Sequence, residues 1–128
     1  MSQTPDREAR ARGKKVLVVD DDPDVRMLVA MLLEDKGFSV VGQAPDGKDA
    51  VLDSFEDQPD FVILDYMMPN VSGAEAASFM RATCPGVHIV AFSGVSLKDP
   101  QWADDYLAKD DVASLPALLE RLVAERAA

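Results

Sequence analysis

Two segments of the chain share one design. Val16-Leu17-Val18-Val19 ends in Asp20, and Phe61-Val62-Ile63-Leu64 ends in Asp65. Apolar runs of this length, without polar alternation, predict strands buried on both faces, as parallel sheets require. Lys15–Asp20 and Phe61–Asp65 are therefore read as strands. Phe38–Gly42 and His88–Phe92 have the same character, and the shorter Asp105–Ala108 makes a fifth.

Helical periods lie between these runs. Val25, Leu28, Val29, Leu32 and Leu33 repeat at about 3.6 residues, with Asp22 placed to cap, Pro23 near the start and Gly37 at the stop. Ala50, Val51, Ser54 and Phe55 form a shorter stripe after the Asp46-Gly47 turn. Ala74 to Thr83 is Ala-rich and halts before Cys84-Pro85-Gly86. Leu115, Leu118, Leu119, Leu122 and Val123 predict a closing amphipathic helix. Strand and helix thus alternate about five times. Right-handed crossovers turn that order into an open parallel sheet with helices on both faces. The expected class is α/β: a flavodoxin-like, doubly wound five-stranded sheet in the order 2-1-3-4-5. Its site lies beyond the carboxyl ends of the strands, at the switch point between strands 1 and 3.

One stretch breaks the pattern. Only the 11 residues from Gly94 to Asp104 separate the fourth and fifth strands, near the minimum for a parallel crossover. Pro100 sits in the middle, and Gly94, Ser96 and Asp99 are weak helix formers. The fourth helix is expected to shrink to one or two turns starting near Pro100, with Asp99 as its cap.

Composition narrows the class. The 128 residues are 48% hydrophobic and 28% charged, which suits one folded domain, and no apolar run is long enough to span a bilayer. Residues 1–15 carry a charge of +3 and the remainder −13. A body this acidic repels phosphate backbones and argues against direct nucleic-acid binding. Residues 1–13 read as a disordered basic tail with no apolar stretch of a secretory signal, and 14–126 as the folded domain. Cys84 is the only cysteine, so no internal disulfide forms, and a cytoplasmic setting is the simplest reading.

The chemistry lies at the predicted strand ends. Strand 1 ends in Asp20-Asp21-Asp22, strand 3 in Asp65, strand 4 in Ser93 and strand 5 at Lys109. The expected strand order gathers them in one crevice. Clustered carboxylates repel unless a cation offsets them, and oxygen-rich clusters suit Mg²⁺. A carboxylate there can attack phosphorus, with Ser93 and Lys109 meeting the phosphoryl oxygens.

Val18-Val19-Asp20-Asp21, Asp65-Tyr66-Met67-Met68-Pro69, Ser93-Gly94 and Lys109 together resemble the receiver-domain signature of two-component response regulators, over residues 14–126. The resemblance implies that Asp20 and Asp21 hold Mg²⁺ and that Asp65 both ligates the metal and accepts phosphate. It implies that the Met67 backbone carbonyl is a further ligand, that Ser93 bonds the phosphoryl group, and that Lys109 pairs with it. Tyr106 matches the aromatic switch position, with Ser93 as its partner in switching. A histidine kinase or histidine phosphotransfer protein is the implied donor, an unknown protein the output partner, and monomer or weak dimer the expected state.

Three departures stand out. Asp110 follows Lys109 where the family usually has proline. A cis bond without proline costs about 3 kcal/mol, so Lys109–Asp110 is expected to be trans. The stretch between Ser93 and Lys109 is short for the family, and Asp22 adds an acid. Other readings stay open at this point. Asp20-x-Asp22 also resembles the nucleophile motif of haloacid-dehalogenase phosphatases. A flavodoxin would need a Thr/Ser/Gly-rich phosphate loop after strand 1, which is missing.

Overall fold

The computed structural model describes residues 12–68, 71–95 and 100–127. Its elements are β1 (Lys15–Val19), α1 (Pro23–Asp35), β2 (Ser39–Ala44), α2 (Gly47–Asp57), β3 (Phe61–Leu64), α3 (Gly73–Thr83), β4 (His88–Ser93), β5 (Asp105–Ala108) and α4 (Leu115–Ala127). A 3-10 segment, Lys109–Ser114, leads into α4. All strand pairings are parallel, and the sheet order is β2-β1-β3-β4-β5, the order expected from the sequence. β2 starts one residue later than the pattern suggested and runs on to Ala44. Its register against β1 shifts between Val16 and Leu17.

The unbroken apolar runs split their residues between two cores. Val16, Val18, Phe61, Ile63, Val90 and Phe92 meet Val29 and Leu33 of α1 and Leu115, Leu119, Leu122 and Val123 of α4. Leu17, Val19, Val62, Leu64 and Ile89 face the other way, onto Ala50 of α2 and Ala76, Ala77 and Met80 of α3. Each buried Leu, Ile or Phe contributes roughly 1.5–3 kcal/mol of transfer free energy. Small residues on α2 and α3 let those helices lie close to the sheet. Two stripe residues fall off the buried faces: Leu28 and Phe55 are exposed. Both sit at the edge of their helical arcs, where a count of apolar residues cannot tell rim from centre.

The caps follow the sequence. Asp22 accepts the Asp24 N–H at 2.9 Å and Pro23 opens α1. Asp46 caps α2. Ser72 and Glu75 form a capping box on α3. Gly37 takes φ +92 just past α1, and its carbonyl accepts the Gly13 N–H at 2.9 Å. Of the expected N-terminal tail, residues 1–11 lie outside the described residues.

The one- or two-turn helix expected from near Pro100 is not formed among the described residues of the β4–β5 connection. Among its described residues, 94–95 and 100–104, there is no regular helix, only a turn closed by the Ala103 N–H on the Pro100 carbonyl at 3.1 Å. The expected Asp99 cap lies outside the described residues. Trp102 and Ala103 instead pack against the α2–α3 core. Arg81 of α3 holds this segment through the Trp102 carbonyl (3.0 Å) and the Asp104 carboxylate (3.2 Å).

Candidate functional site

The strand order brings the ends of β1, β3 and β5 to one place. Asp20 follows β1, with its N–H on the Ala44 carbonyl at 3.1 Å, and Asp65 follows β3, with its N–H on the Val19 carbonyl at 3.0 Å. Both acids are almost fully buried, at 1% and 4% exposure, whereas Asp21 is exposed. Oxygens of Asp20, Asp21 and Asp65 lie within 4.8 Å of one another.

Lys109 is the counter-charge. It leaves the end of β5 and places Nζ 2.6 Å from Asp20 Oδ2 and 3.4 Å from Asp65 Oδ2. The Asp65 contact is a hydrogen bond. The closer contact pairs the ammonium directly with buried Asp20 Oδ2. Asp20 Oδ1 is taken by the Asp22 N–H at 2.9 Å. Asp65 Oδ1 accepts the Met67 N–H at 3.3 Å.

These contacts set the ionisation. Burial raises the Asp65 pKa most, and the Asp20 charge raises it further. Lys109 and the Met67 amide pull the other way without cancelling the rise. For Lys109, burial opposes the charge, but Asp20 and Asp65 outweigh it and hold the ammonium above its ordinary range. Three acids against one lysine leave excess negative charge. That excess charge and the all-oxygen donor set of Asp20, Asp21 and Asp65 fit a hard divalent cation such as Mg²⁺.

The other sequence candidates are nearby but engaged elsewhere. Ser93, buried at the end of β4, accepts the Val95 N–H at 3.2 Å. The Val95 carbonyl accepts the Tyr106 hydroxyl at 3.3 Å. Ser93 and Tyr106 are thus joined through one residue. The Met67 side chain is exposed and its amide faces Asp65. Lys109–Asp110 is trans, since no peptide bond among the described residues is cis. Asp22 caps a helix, as its position suggested.

Arg26 and Trp102 escaped the sequence reading, while Gly73, expected to shape the loop after Asp65, serves there by close approach and not by a positive φ. Arg26 donates from Nη1 to the Asp20 carbonyl at 2.6 Å. Its place one turn into α1, on the side of the strand-1 acids, was the available signal. Gly73 lets its helix approach Asp65: a Cβ there would stand 2.8 Å from the Asp65 carbonyl oxygen and 2.9 Å from Tyr66 Cα. Trp102 stacks on Tyr66, with ring centroids 5.8 Å apart. No local pattern pointed to that pair, which is 36 positions apart.

Known proteins share this fold. Residues 16–119 match the family described as response regulator receiver domain. The transcriptional regulatory protein PrrA of Mycobacterium tuberculosis is 36% identical over 118 residues, covering 84% of this chain and 50% of that protein. The chain spans about half the length of the first curated relatives it matches. A two-component response regulator of the LuxR family from Aurantimonas sp. SI85-9A1 superimposes with TM-score 0.80 at 30% identity, covering 88% of this chain and 86% of that one. The response regulator TrrA of Thermotoga maritima, solved in complex with Mg²⁺-BeF, gives TM-score 0.77 at 32% identity, covering 85% and 98%. This chain belongs to the response regulator receiver domain family.

Proposed function

We propose that this chain is a Mg²⁺-dependent phosphoacceptor in a two-component relay and that Asp65 is the residue phosphorylated. The observation that carries the reading is the position of Asp65: a buried carboxylate at the sheet's switch point, within reach of two further acids and of Lys109. An Asp65 oxygen attacks phosphorus of a phosphohistidine on a kinase or phosphotransfer protein. The P–O bond forms, the P–N bond breaks, and the leaving imidazole takes up a proton. Asp20, Asp21, Asp65 and the Met67 carbonyl would hold Mg²⁺, which when bound offsets charge on the transferring group.

The chain's own residues do the rest. The Met67 N–H fixes one Asp65 oxygen. Lys109 is already charged and hydrogen-bonded to the other, ready to exchange carboxylate for phosphoryl oxygen. The Ser93 hydroxyl leaves the Val95 amide for the phosphoryl group, which loosens the Val95 carbonyl from Tyr106. Phosphorylation thereby shifts an existing equilibrium at the end of β4 and in the aromatic switch. As a receiver the chain is a signalling domain, not a conventional enzyme. Its own catalysis is limited to self-phosphorylation and autodephosphorylation. Output passes to a protein partner from a monomeric or weakly dimeric cytoplasmic domain, without direct nucleic-acid contact.

Asp20 is a poor alternative nucleophile. The Asp22 carboxylate of the Asp20-x-Asp22 motif is occupied as a helix cap, accepting the Asp24 N–H at 2.9 Å. The test is intact mass after incubation with acetyl phosphate and Mg²⁺. A gain of one phosphoryl group is expected in the wild type, none in Asp65→Asn, and a reduced gain with weaker Mg²⁺ titration in Asp21→Ala. Phosphate retained on Asp65→Asn would overturn the assignment. Lys109→Ala should fold and accept phosphate but leave partner binding insensitive to it.

A further inference from the structure

The phosphoryl chemistry above makes no use of the chain's only tryptophan. The Trp102 indole lies nearly parallel to the Tyr66 ring, with planes 19° apart and centroids separated by 5.8 Å. Tyr66 directly follows Asp65. The same indole stands 3.4 Å from where a Cβ on Gly73 would be, and the Gly73 N–H closes the acceptor loop onto the Tyr66 carbonyl at 3.1 Å. Trp102 therefore meets the loop that carries Met67 at both its ends.

Trp102 is itself anchored. Its carbonyl accepts from Arg81 of α3 at 3.0 Å. Two residues on, the Asp104 N–H donates to the Ile89 carbonyl at 2.8 Å and the Asp104 carboxylate accepts the Ile89 N–H at 2.8 Å. One side of the indole's support is thus the rigid sheet and α3. The other side is a loop whose Met67 amide bonds Asp65 and whose Tyr66, Met67 and Met68 line a cleft of about 380 Å³ with Ser72.

We propose that Trp102 is a positioning residue for phosphoryl transfer: by stacking on Tyr66 it fixes the loop whose Met67 amide orients the Asp65 carboxylate. This rests on the reading of Asp65 as the acceptor. A ring that merely filled space would need only the aliphatic core beneath it. Trp102 is half-buried and spends one ring face on the neighbour of the nucleophile. Small displacements of a reacting group are costly in rate, which makes such a support consequential.

The test uses the full chain, acetyl phosphate and Mg²⁺, with rate read by intact mass and indole environment by fluorescence. In the wild type, emission should change when beryllofluoride and Mg²⁺ are added, because the single indole reports on the acceptor loop directly. Trp102→Ala should slow phosphorylation by roughly five- to tenfold. Trp102→Phe, which keeps an aromatic stack, should restore the rate to within about twofold. Val123→Ala, in the core on the opposite face of the sheet, should lose stability without slowing the reaction. If Trp102→Ala does not fold, Tyr66→Leu removes the same stack from the other partner and should slow the reaction likewise. Unchanged emission in a wild type that gains phosphate would overturn the proposal. So would a wild-type rate in Trp102→Ala or Tyr66→Leu, or equal slowing by Val123→Ala. A wild type that gains no phosphate sinks the acceptor reading and this proposal with it.

Discussion

At the scale of single residues, Asp65 carries a charge where the fold resists one. Burial and Asp20 raise its pKa. A carboxyl raised in the folded state contributes stability that is complete below its unfolded pKa and is lost as pH rises through its folded pKa. At neutral pH, without divalent cations, ionised Asp65 is therefore a net cost. Asp65→Asn removes that cost and leaves Lys109 its nearer partner, Asp20 at 2.6 Å. We expect the variant to be more stable at pH 7 in chelator by on the order of 1 kcal/mol, about 3–5 °C in Tm. The gap should close in acid, where wild-type Asp65 is protonated. Melting curves across pH check this, and an Asp65→Asn variant melting below wild type at pH 7 would contradict it. The place of Asp65 at the site was legible in the sequence because it ends a buried apolar run. Its hydrogen bonds were not, because the Met67 amide reaches it only through the turn of the loop.

At the scale of elements, α3 and the β4–β5 connection close over Asp65 and Tyr66 from the same side. Gly73 opens α3 where a Cβ would meet backbone, the Asp65 carbonyl at 2.8 Å and Tyr66 Cα at 2.9 Å. Backbone cannot rotate aside as a side chain can. Gly73→Ala should cost roughly 2–3 kcal/mol and slow phosphorylation, as denaturant titration and intact mass will show. A variant as stable as wild type would mean that the helix start has room to move. The connection itself was half legible. Pro100 and the 11-residue span told against a full helix, and among the described residues only a turn remains. What replaces the helix was not legible, since Arg81 and Trp102 meet only after α3 and β5 have found their places. If this region, with β5 and α4, serves for phosphorylation-dependent pairing, the lack of a regular helix among its described residues should allow only weak association. Sedimentation with and without beryllofluoride should show a monomer or a weak dimer. A tight activated dimer, broken by charge reversals on α4, would refute that.

At the scale of the whole molecule, strand order does what no segment does alone. Three strands far apart in sequence deliver Asp20, Asp65 and Lys109 to a common point. Alternation and crossover handedness favoured a parallel sheet, and the flavodoxin-like order expected for five strands then gathered these three residues. The lysine arrives on β5, a four-residue strand at the sheet's edge with every residue only half-buried. Such edges open locally well before the whole domain unfolds, and their amides trade protons with solvent through those openings. Lys109 fastens this edge to the middle of the sheet, and a phosphoryl group on Asp65 would tighten the fastening. Signalling state should therefore be written into solvent exchange at the rim of the sheet. With beryllofluoride standing in for phosphate, amide deuteration of Tyr106, Leu107 and Ala108 should slow by about tenfold for each 1.4 kcal/mol of added hold, while that of β1 changes far less. Equal slowing in both strands would instead mean that the last strand has no separate motion to arrest.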